Sequence, residues 1–305
     1  LGAPISFIPI VSSVPELIGS FVQLYSSKIL NLLKNRKKLI VLTSLIDSLL
    51  WLPILLIPYV WNNNYYLLLS FLIIQSISLS ILRPVYNSLL GDILKKESRG
   101  KVLGKINYIA GAISFVSTLI FGYLLKLFNV FDPILGFTIV FFIAFISRSI
   151  SSLIKTKFHD PEMSINLEKR SIRKFIKELK GTYLSKFLIF NGLYRFGVGV
   201  SASFFVIYML NTLKLGYFTY TLLSSASVIS SFLIVNRWGS RLDKKGSKSM
   251  IEMSSFMIPI IPLLWVIIKN PIGLFFIQLL SGAAWSGFNL AISNFIMDET
   301  NSKNR

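Results

Sequence analysis

Apolar residues fall in long blocks along this chain, and short polar segments separate the blocks. Each block holds about 20 residues with few charges, which is the length an α-helix needs to cross about 30 Å of hydrocarbon. The pattern therefore predicts an all-α, polytopic membrane protein. The predicted membrane helices cover about residues 3–26, 39–60, 66–90, 103–128, 133–154, 187–210, 216–236, 250–268 and 272–297.

Basic residues concentrate in every second segment between the predicted helices. They are dense in residues 28–38, 92–105, 148–186 and 237–248, and they recur at the end of the chain. The intervening loops hold only Lys126, Lys214 and Lys269. Because cytoplasmic loops carry an excess of Lys and Arg, we expect the basic loops to lie in the cytoplasm of a multi-pass plasma-membrane protein.

Composition agrees with a lipid environment and argues against several other classes. Only 15% of the 305 residues are charged, whereas soluble chains carry about a quarter. The net charge of +19 does not predict nucleic-acid binding, because the basic residues lie between apolar blocks. With no cysteine and with His159 as the single histidine, no metal site, cofactor or Ser-His triad is predicted.

Since Leu1 already lies in an apolar block, we expect a chain truncated at both ends.

A hydrophilic segment, residues 155–186, divides the chain into predicted bundles at residues 1–154 and 187–305. Within residues 161–186, apolar side chains recur at helical spacing against Lys and Arg. This spacing indicates an amphipathic helix lying on the inner leaflet, and a plain charged linker is the alternative. The two bundles show weak self-similarity, which is typical of transporters built from repeats.

Two basic loops carry glycine, acid and basic residues at characteristic spacings. One contains Gly239, Asp243, Lys244, Gly246 and Lys248, and the other contains Gly91, Asp92, Arg99, Gly100, Lys101, Gly104 and Asn107. With these loops the chain resembles the major facilitator superfamily. The equivalent first-half loop, Ser26–Lys38, keeps the basic residues but lacks the glycine and the aspartate.

This resemblance implies two six-helix bundles, of which the chain holds the second to the tenth helix. It also implies a monomer that works in a lipid bilayer. The acids of the basic loops would bind basic side chains in one conformation and release them in the other. We therefore expect Asp243 with Arg241, and Asp92 with Arg99, to act as latches of a cytoplasmic gate that also includes Gly239, Lys244 and Gly246.

Four charged residues stand out near the centres of predicted membrane helices: Glu16, Asp47, Arg83 and Arg195. A charge at a helix centre costs at least about 2.5 kcal/mol on insertion scales, so each one predicts a partner or a function. At about 1.5 Å per residue from the basic ends, all four lie near the midplane. Glu16 and Asp47 are candidates for proton coupling, and a structural pair with Arg83 is the alternative for Asp47. Arg195 has no acid nearby in sequence, which favours an anionic group on the substrate.

Polar residues also form stripes on four predicted helices, since steps of three and four stack on one helix face. The stripes are Ser12, Glu16, Ser20 and Gln23; Ser76, Ser80, Arg83 and Asn87; Asn191 and Arg195; and Gln278, Ser281, Trp285 and Asn289. The resemblance places three of these helices around a central cavity. The expected cavity residues are Arg83, Asn87, Asn191, Tyr194, Arg195, Trp285 and Asn289. For Trp285, helix packing is the alternative.

Together these features predict a secondary transporter that moves a small solute by alternating access, with proton coupling through Glu16 or Asp47. Export is favoured over import, because an aromatic and sparsely polar cavity suits amphipathic compounds. The alternatives are a membrane-embedded enzyme and a non-transporting scaffold that binds lipid or a partner.

Overall fold

The computed structural model describes residues 3–61, 64–94, 96–160 and 181–299, apart from the side chains of residues 91, 96–101, 103–104, 107, 203 and 297–299. Helices make up almost all of this part of the chain, and it contains no strand. The helices are α1 (Phe7–Gln23), α2 (Ser26–Leu33), α3 (Arg36–Leu49), α4 (Trp51–Val60), α5 (Tyr65–Ile93), α6 (Lys96–Phe131), α7 (Pro133–Lys155), α8 (Tyr183–Ile207), a π-helical turn (Tyr208–Thr212), α9 (Tyr217–Ile267) and α10 (Pro271–Glu299). The predicted all-α fold class is confirmed.

Seven helical segments are long and apolar enough to cross a membrane, with mean hydropathy between 1.3 and 2.2. The pair α1 and α2, which meet at an angle of 56°, is an eighth candidate span. α9 is 51 residues long, but its Gly246 has the non-helical angles φ 76° and ψ 163°. This break lies between the spans predicted at residues 216–236 and 250–268.

Helices extend further into the basic segments than the sequence predicted. The chain leaves helical conformation only at Lys34 and Asn35 in the first basic segment, and α6 already begins at Lys96. α9 continues as helix until Gly246. The physical reason is that Lys, Arg and Glu favour helix, so helices continue past the membrane boundary. Residues 161–180 of the expected amphipathic helix lie outside the described residues.

The chain packs as two compact units. The first unit comprises Leu1–Ile106, Leu127–Asn166 and Gly199–Ile207, and the second comprises Asn107–Lys126, Leu167–Val198 and Tyr208–Arg305. α6 and α8 therefore each contribute to both units. α1 to α5 and α7 belong to the first unit, and α9 and α10 belong to the second.

In the first unit, α5 packs against α1, α2, α3 and α4. Its buried side chains form a core with those of α2 and α3, made of Leu30, Leu39, Ile40, Ile81, Val85 and Leu89. α1 approaches α5 closely at Gly19, where an added Cβ would lie 2.5 Å from the hydroxyls of both Ser76 and Ser80. Gly19 thus brings the polar stripes of α1 and α5 together.

In the second unit, α9 and α10 form the most extensive helix pair. A Cβ at Gly282 would lie 2.0 Å from the backbone oxygen of Ser227, so only glycine allows this approach. Two side chains of α9 also donate hydrogen bonds to α10 carbonyls: Ser231 to Gly282 at 2.8 Å, and the Trp238 indole to Ala283 at 2.8 Å. Small residues with hydrogen bonds between helices are the usual means of close packing in membranes.

Candidate functional site

The predicted polar stripes of α1 and α5 line one pocket of about 340 Å³ in the first unit. Its lining residues are Val11, Pro15, Glu16, Ser20, Gln23, Leu72, Gln75, Ser76, Leu79, Ser80 and Arg83. Glu16 and Arg83 therefore share a pocket. Neither forms an ion pair with the other, or with any further residue in the described part of the chain.

Serine side chains around Glu16 bond to their own helix. The Ser20 hydroxyl donates to the Glu16 backbone carbonyl at 2.7 Å, and the Ser12 hydroxyl donates to the Pro9 carbonyl at 3.0 Å. Such bonds satisfy a hydroxyl locally within a helix. The Glu16 carboxylate itself accepts no hydrogen bond from a described residue, so it is available to a proton, a solute or water in the pocket.

Arg195 lies in the second unit, held by two asparagines that the sequence also predicted as site residues. Its Nε donates to Asn191 Oδ1 at 3.3 Å, and its Nη2 donates to Asn289 Oδ1 at 3.2 Å. Both partners are neutral amides, so they orient the guanidinium without neutralising its charge. Trp285, one turn before Asn289, packs edge-on against Phe288 with ring centroids 5.8 Å apart.

Tyr194 belongs to a different pocket of the second unit, with a volume of about 850 Å³. Its hydroxyl donates to the backbone oxygen of Ser255 at 3.1 Å. The pocket is lined by Tyr183, Lys186, Phe187, Phe190, Tyr194, Lys248, Ile251, Glu252, Ser255, Phe256 and Phe295. None of the other predicted cavity residues lines it. The sequence analysis did not identify this aromatic pocket.

Asp47 forms its ion pair with Arg148 and not with Arg83, so the predicted partner was wrong. The Asp47 carboxylate is 4% exposed and accepts from Arg148 at 2.6 Å. The physical reason is that α7 packs along the Asp47 face of α3. Arg148 had been counted with the basic segment, although it lies inside the helix predicted at residues 133–154.

The contact between α3 and α7 forms a polar seam. Lys155 Nζ donates to Ser44 Oγ at 2.9 Å. Ser44 lies one turn of α3 before Asp47, which pairs with Arg148. Arg148, Ser152 and Lys155 follow one another at steps of four and three, which is the signal that could have revealed this face of α7.

Asp92, a predicted gate residue, forms an ion pair with Arg36 at the start of α3. The Arg36 side chain is only 2% exposed, and it also contacts Asp160 at 3.1 Å and Ser88 Oγ at 3.3 Å. One buried guanidinium therefore joins α3, α5 and the segment after α7. The side chain of Arg99, the partner expected for Asp92, lies outside the described residues.

The expected pair between Asp243 and Arg241 is not formed in this structure. Arg241 lies over the ring of Trp238, 5.4 Å from its centroid, and Asp243 forms no ion pair within residues 181–299. The reason is that α9 is helical here, and residues two apart on a helix do not face each other. Gly239 and Lys244 also lie on this helical stretch, which ends at Gly246.

The membrane-spanning helices, their grouping into two units and the intramembrane charges define a polytopic helical membrane protein. The chain belongs to the Major Facilitator Superfamily, whose family model matches residues 1–305. It is accordingly a secondary transporter, and the resemblance inferred from the sequence is confirmed.

One solved structure of similar fold is the crystal structure of the nucleoside transporter NupG in its D323A mutant form. The TM-score is 0.75 at 14% sequence identity, and the match covers 96% of this chain and 74% of that chain. At this identity the likeness shows the fold alone. No curated protein matched the chain.

Proposed function

We propose that this transporter moves a small solute by alternating access and that Glu16 couples the movement to protons. The observation that carries the proposal is the pocket shared by Glu16 and Arg83, which form no ion pair. Ionisable groups inside a membrane are expensive to insert, so an acid and a base that have no ion-pair partner among the described residues favour a functional role over a structural one.

Glu16 is a better candidate for coupling than Asp47. Asp47 is buried and bonded to Arg148, so protonation would break the contact that joins α3 to α7. Glu16 lines a pocket and can change its protonation state without breaking an ion pair of the first unit. We therefore assign the proton to Glu16 and a structural role to Asp47.

Arg195 is the proposed contact for an anionic or hydrogen-bond-accepting group of the solute. Its two amide partners fix the guanidinium, and the planar fork of an arginine suits carboxylate or phosphate oxygens. The side chain is exposed, which leaves N–H groups free for a solute. Asn191 and Asn289 then act as positioning residues.

Export across the plasma membrane, with the basic loops in the cytoplasm, is the proposed direction. Its support is the aromatic pocket around Tyr194, which suits an amphipathic compound. Transport by the purified protein in sealed vesicles tests the whole proposal, with amphipathic anions, neutral amphipathic compounds and a nucleoside as the solute panel.

We expect at least one solute of this panel to accumulate against its own concentration gradient when a pH gradient is imposed. Accumulation should stop when an ionophore collapses the pH gradient. A solute that only equilibrates, at a rate independent of the pH gradient, contradicts proton coupling. Export in exchange for protons requires the solute to leave the cytoplasmic side as protons enter it. If solute and protons instead move together towards the cytoplasmic side, the direction is import.

A further inference from the structure

A second polar pocket of the first unit is lined by two cationic side chains and by no acidic one. It has a volume of about 360 Å³ and is lined by Leu82, Arg83, Tyr86, Asn87 and Lys155. The first four residues lie on successive turns of α5, and Lys155 is the last residue of α7. The sequence analysis identified Arg83 and Asn87 but did not identify Lys155 as a site residue.

Hydrogen-bond donors in this pocket outnumber their protein partners. Neither the Arg83 guanidinium nor the Asn87 amide bonds to a described residue, and Lys155 Nζ has one bond, to Ser44 Oγ. A guanidinium, an ammonium, an amide and the Tyr86 hydroxyl therefore line one space. Such groups require a ligand or water, because unsatisfied polar groups are costly in a membrane.

Asp47 does not neutralise the positive charge of the pocket. Asp47 interacts electrostatically with Lys155, but its carboxylate is bonded to Arg148, so one negative charge is shared by two cations. Arg83 adds a third cation. Glu16, which shares the other pocket with Arg83, does not line this one.

We propose that this pocket binds an anionic oxygen group, a phosphate or a carboxylate, through Arg83 and Lys155, with Asn87 and Tyr86 as further donors. Arginine can bind two such oxygens at once, and lysine supplies a point charge. Lys155 lies at the end of α7, and Arg83 lies about 15 Å along α5 from its end at Ile93. A lipid headgroup or a dissolved anion can supply the oxygens.

Anion binding at this pocket does not depend on proton-coupled transport, so it can be measured without transport. The full chain is placed in nanodiscs of phosphatidylcholine alone, and binding of radiolabelled inorganic phosphate is measured by equilibrium dialysis. In a second arm, discs contain phosphatidylcholine with phosphatidylglycerol, and retention of phosphatidylglycerol is counted by native mass spectrometry. Phosphate binding identifies a dissolved anion, and selective phosphatidylglycerol retention identifies a headgroup.

Variants decide whether the binding belongs to this pocket. We expect Lys155→Gln and Arg83→Gln each to weaken binding at least tenfold. Asn87→Asp, which adds an acid of the same shape, should abolish it. The matched control is Lys157→Gln, an exposed lysine two residues beyond Lys155 that does not line the pocket; it should change affinity less than twofold.

If Lys155→Gln does not fold, Lys155→Arg keeps the positive charge and should retain binding, while Asn87→Asp should still abolish it. The proposal is overturned if neither probe binds the wild-type chain above the phosphatidylcholine background. It is equally overturned if Lys157→Gln loses as much affinity as Lys155→Gln. Proton-driven transport in vesicles can succeed or fail independently of these results.

Discussion

The carboxylate of Asp47 accepts a hydrogen bond from the guanidinium of Arg148 at 2.6 Å and joins α3 to α7. The Asp47 side chain is buried, whereas the Arg148 side chain is 45% exposed. The pair is therefore partly buried, and its loss should cost less than the 3–5 kcal/mol of a fully buried one, about 1–3 kcal/mol.

Asp47→Asn is expected to lower the thermal unfolding temperature of the detergent-purified protein, because Arg148 loses its ionised partner. The double variant with Arg148→Gln should recover part of the loss. The control is Asp243→Asn, an exposed aspartate that forms no ion pair within residues 181–299. Wild-type stability in Asp47→Asn would refute the structural role.

Gly246 interrupts α9 with a positive φ that side chains with a Cβ rarely adopt. Gly246→Ala is therefore expected to destabilise the protein by about 1–3 kcal/mol through backbone strain, because no described residue lies within 4 Å of the added Cβ. Gly239→Ala is the matched control: it lies in helical backbone of the same segment, also without a clash, and should be neutral or slightly stabilising. Equal unfolding temperatures for the two variants would contradict the break at Gly246.

Asn289→Asp tests how Arg195 binds a solute. The new carboxylate has the shape of the amide it replaces and would pair with the guanidinium, which now contacts Asn289 Oδ1 at 3.2 Å. We expect transport of anionic members of the solute panel to fall at least tenfold, mainly through a raised KM. Asn236→Asp, an exposed position of α9, serves as the control. An unchanged KM for every anionic solute would remove Arg195 from the binding site.

The orientation of the basic loops can be tested directly, because the chain has no cysteine. Two exposed positions are suitable for single cysteines: Lys38 in a basic segment and Lys269 in an intervening loop. A membrane-impermeant thiol reagent applied to intact cells should label Lys269→Cys, and should label Lys38→Cys only after permeabilisation. The reverse pattern would invert the proposed topology.

The sequence predicted the spans well because apolar blocks of membrane length have few other structural solutions. It predicted the ends of α6 and α9 poorly, since lysine and arginine continue a helix as readily as they fill a loop. The charge alternation supports the proposed topology, but it also led to Arg148 being counted as a loop residue.

Side-chain pairing was harder to predict than the helices. Tyr194 and Arg195 are adjacent in sequence, but neighbouring residues point to different sides of a helix, and they lie at different sites of the second unit. The choice of Arg148 over Arg83 as the partner of Asp47 depends on which helix packs on which face, and helix packing is a tertiary property. By contrast, the polar stripes that contain Glu16 and Arg83 could be predicted from helical periodicity alone.

Glu16 is the proposed carrier of the coupling proton, and this role can be separated from the structural role of Asp47. The role of Glu16 is tested most directly by measuring pH-driven solute accumulation in vesicles for Glu16→Gln beside Asp47→Asn, each normalised to the amount of folded protein. We expect Glu16→Gln to lose the response to the pH gradient while still exchanging solute across the membrane, and Asp47→Asn to keep that response. A Glu16→Gln variant that accumulates solute with wild-type dependence on the pH gradient would show that Glu16 does not carry the proton.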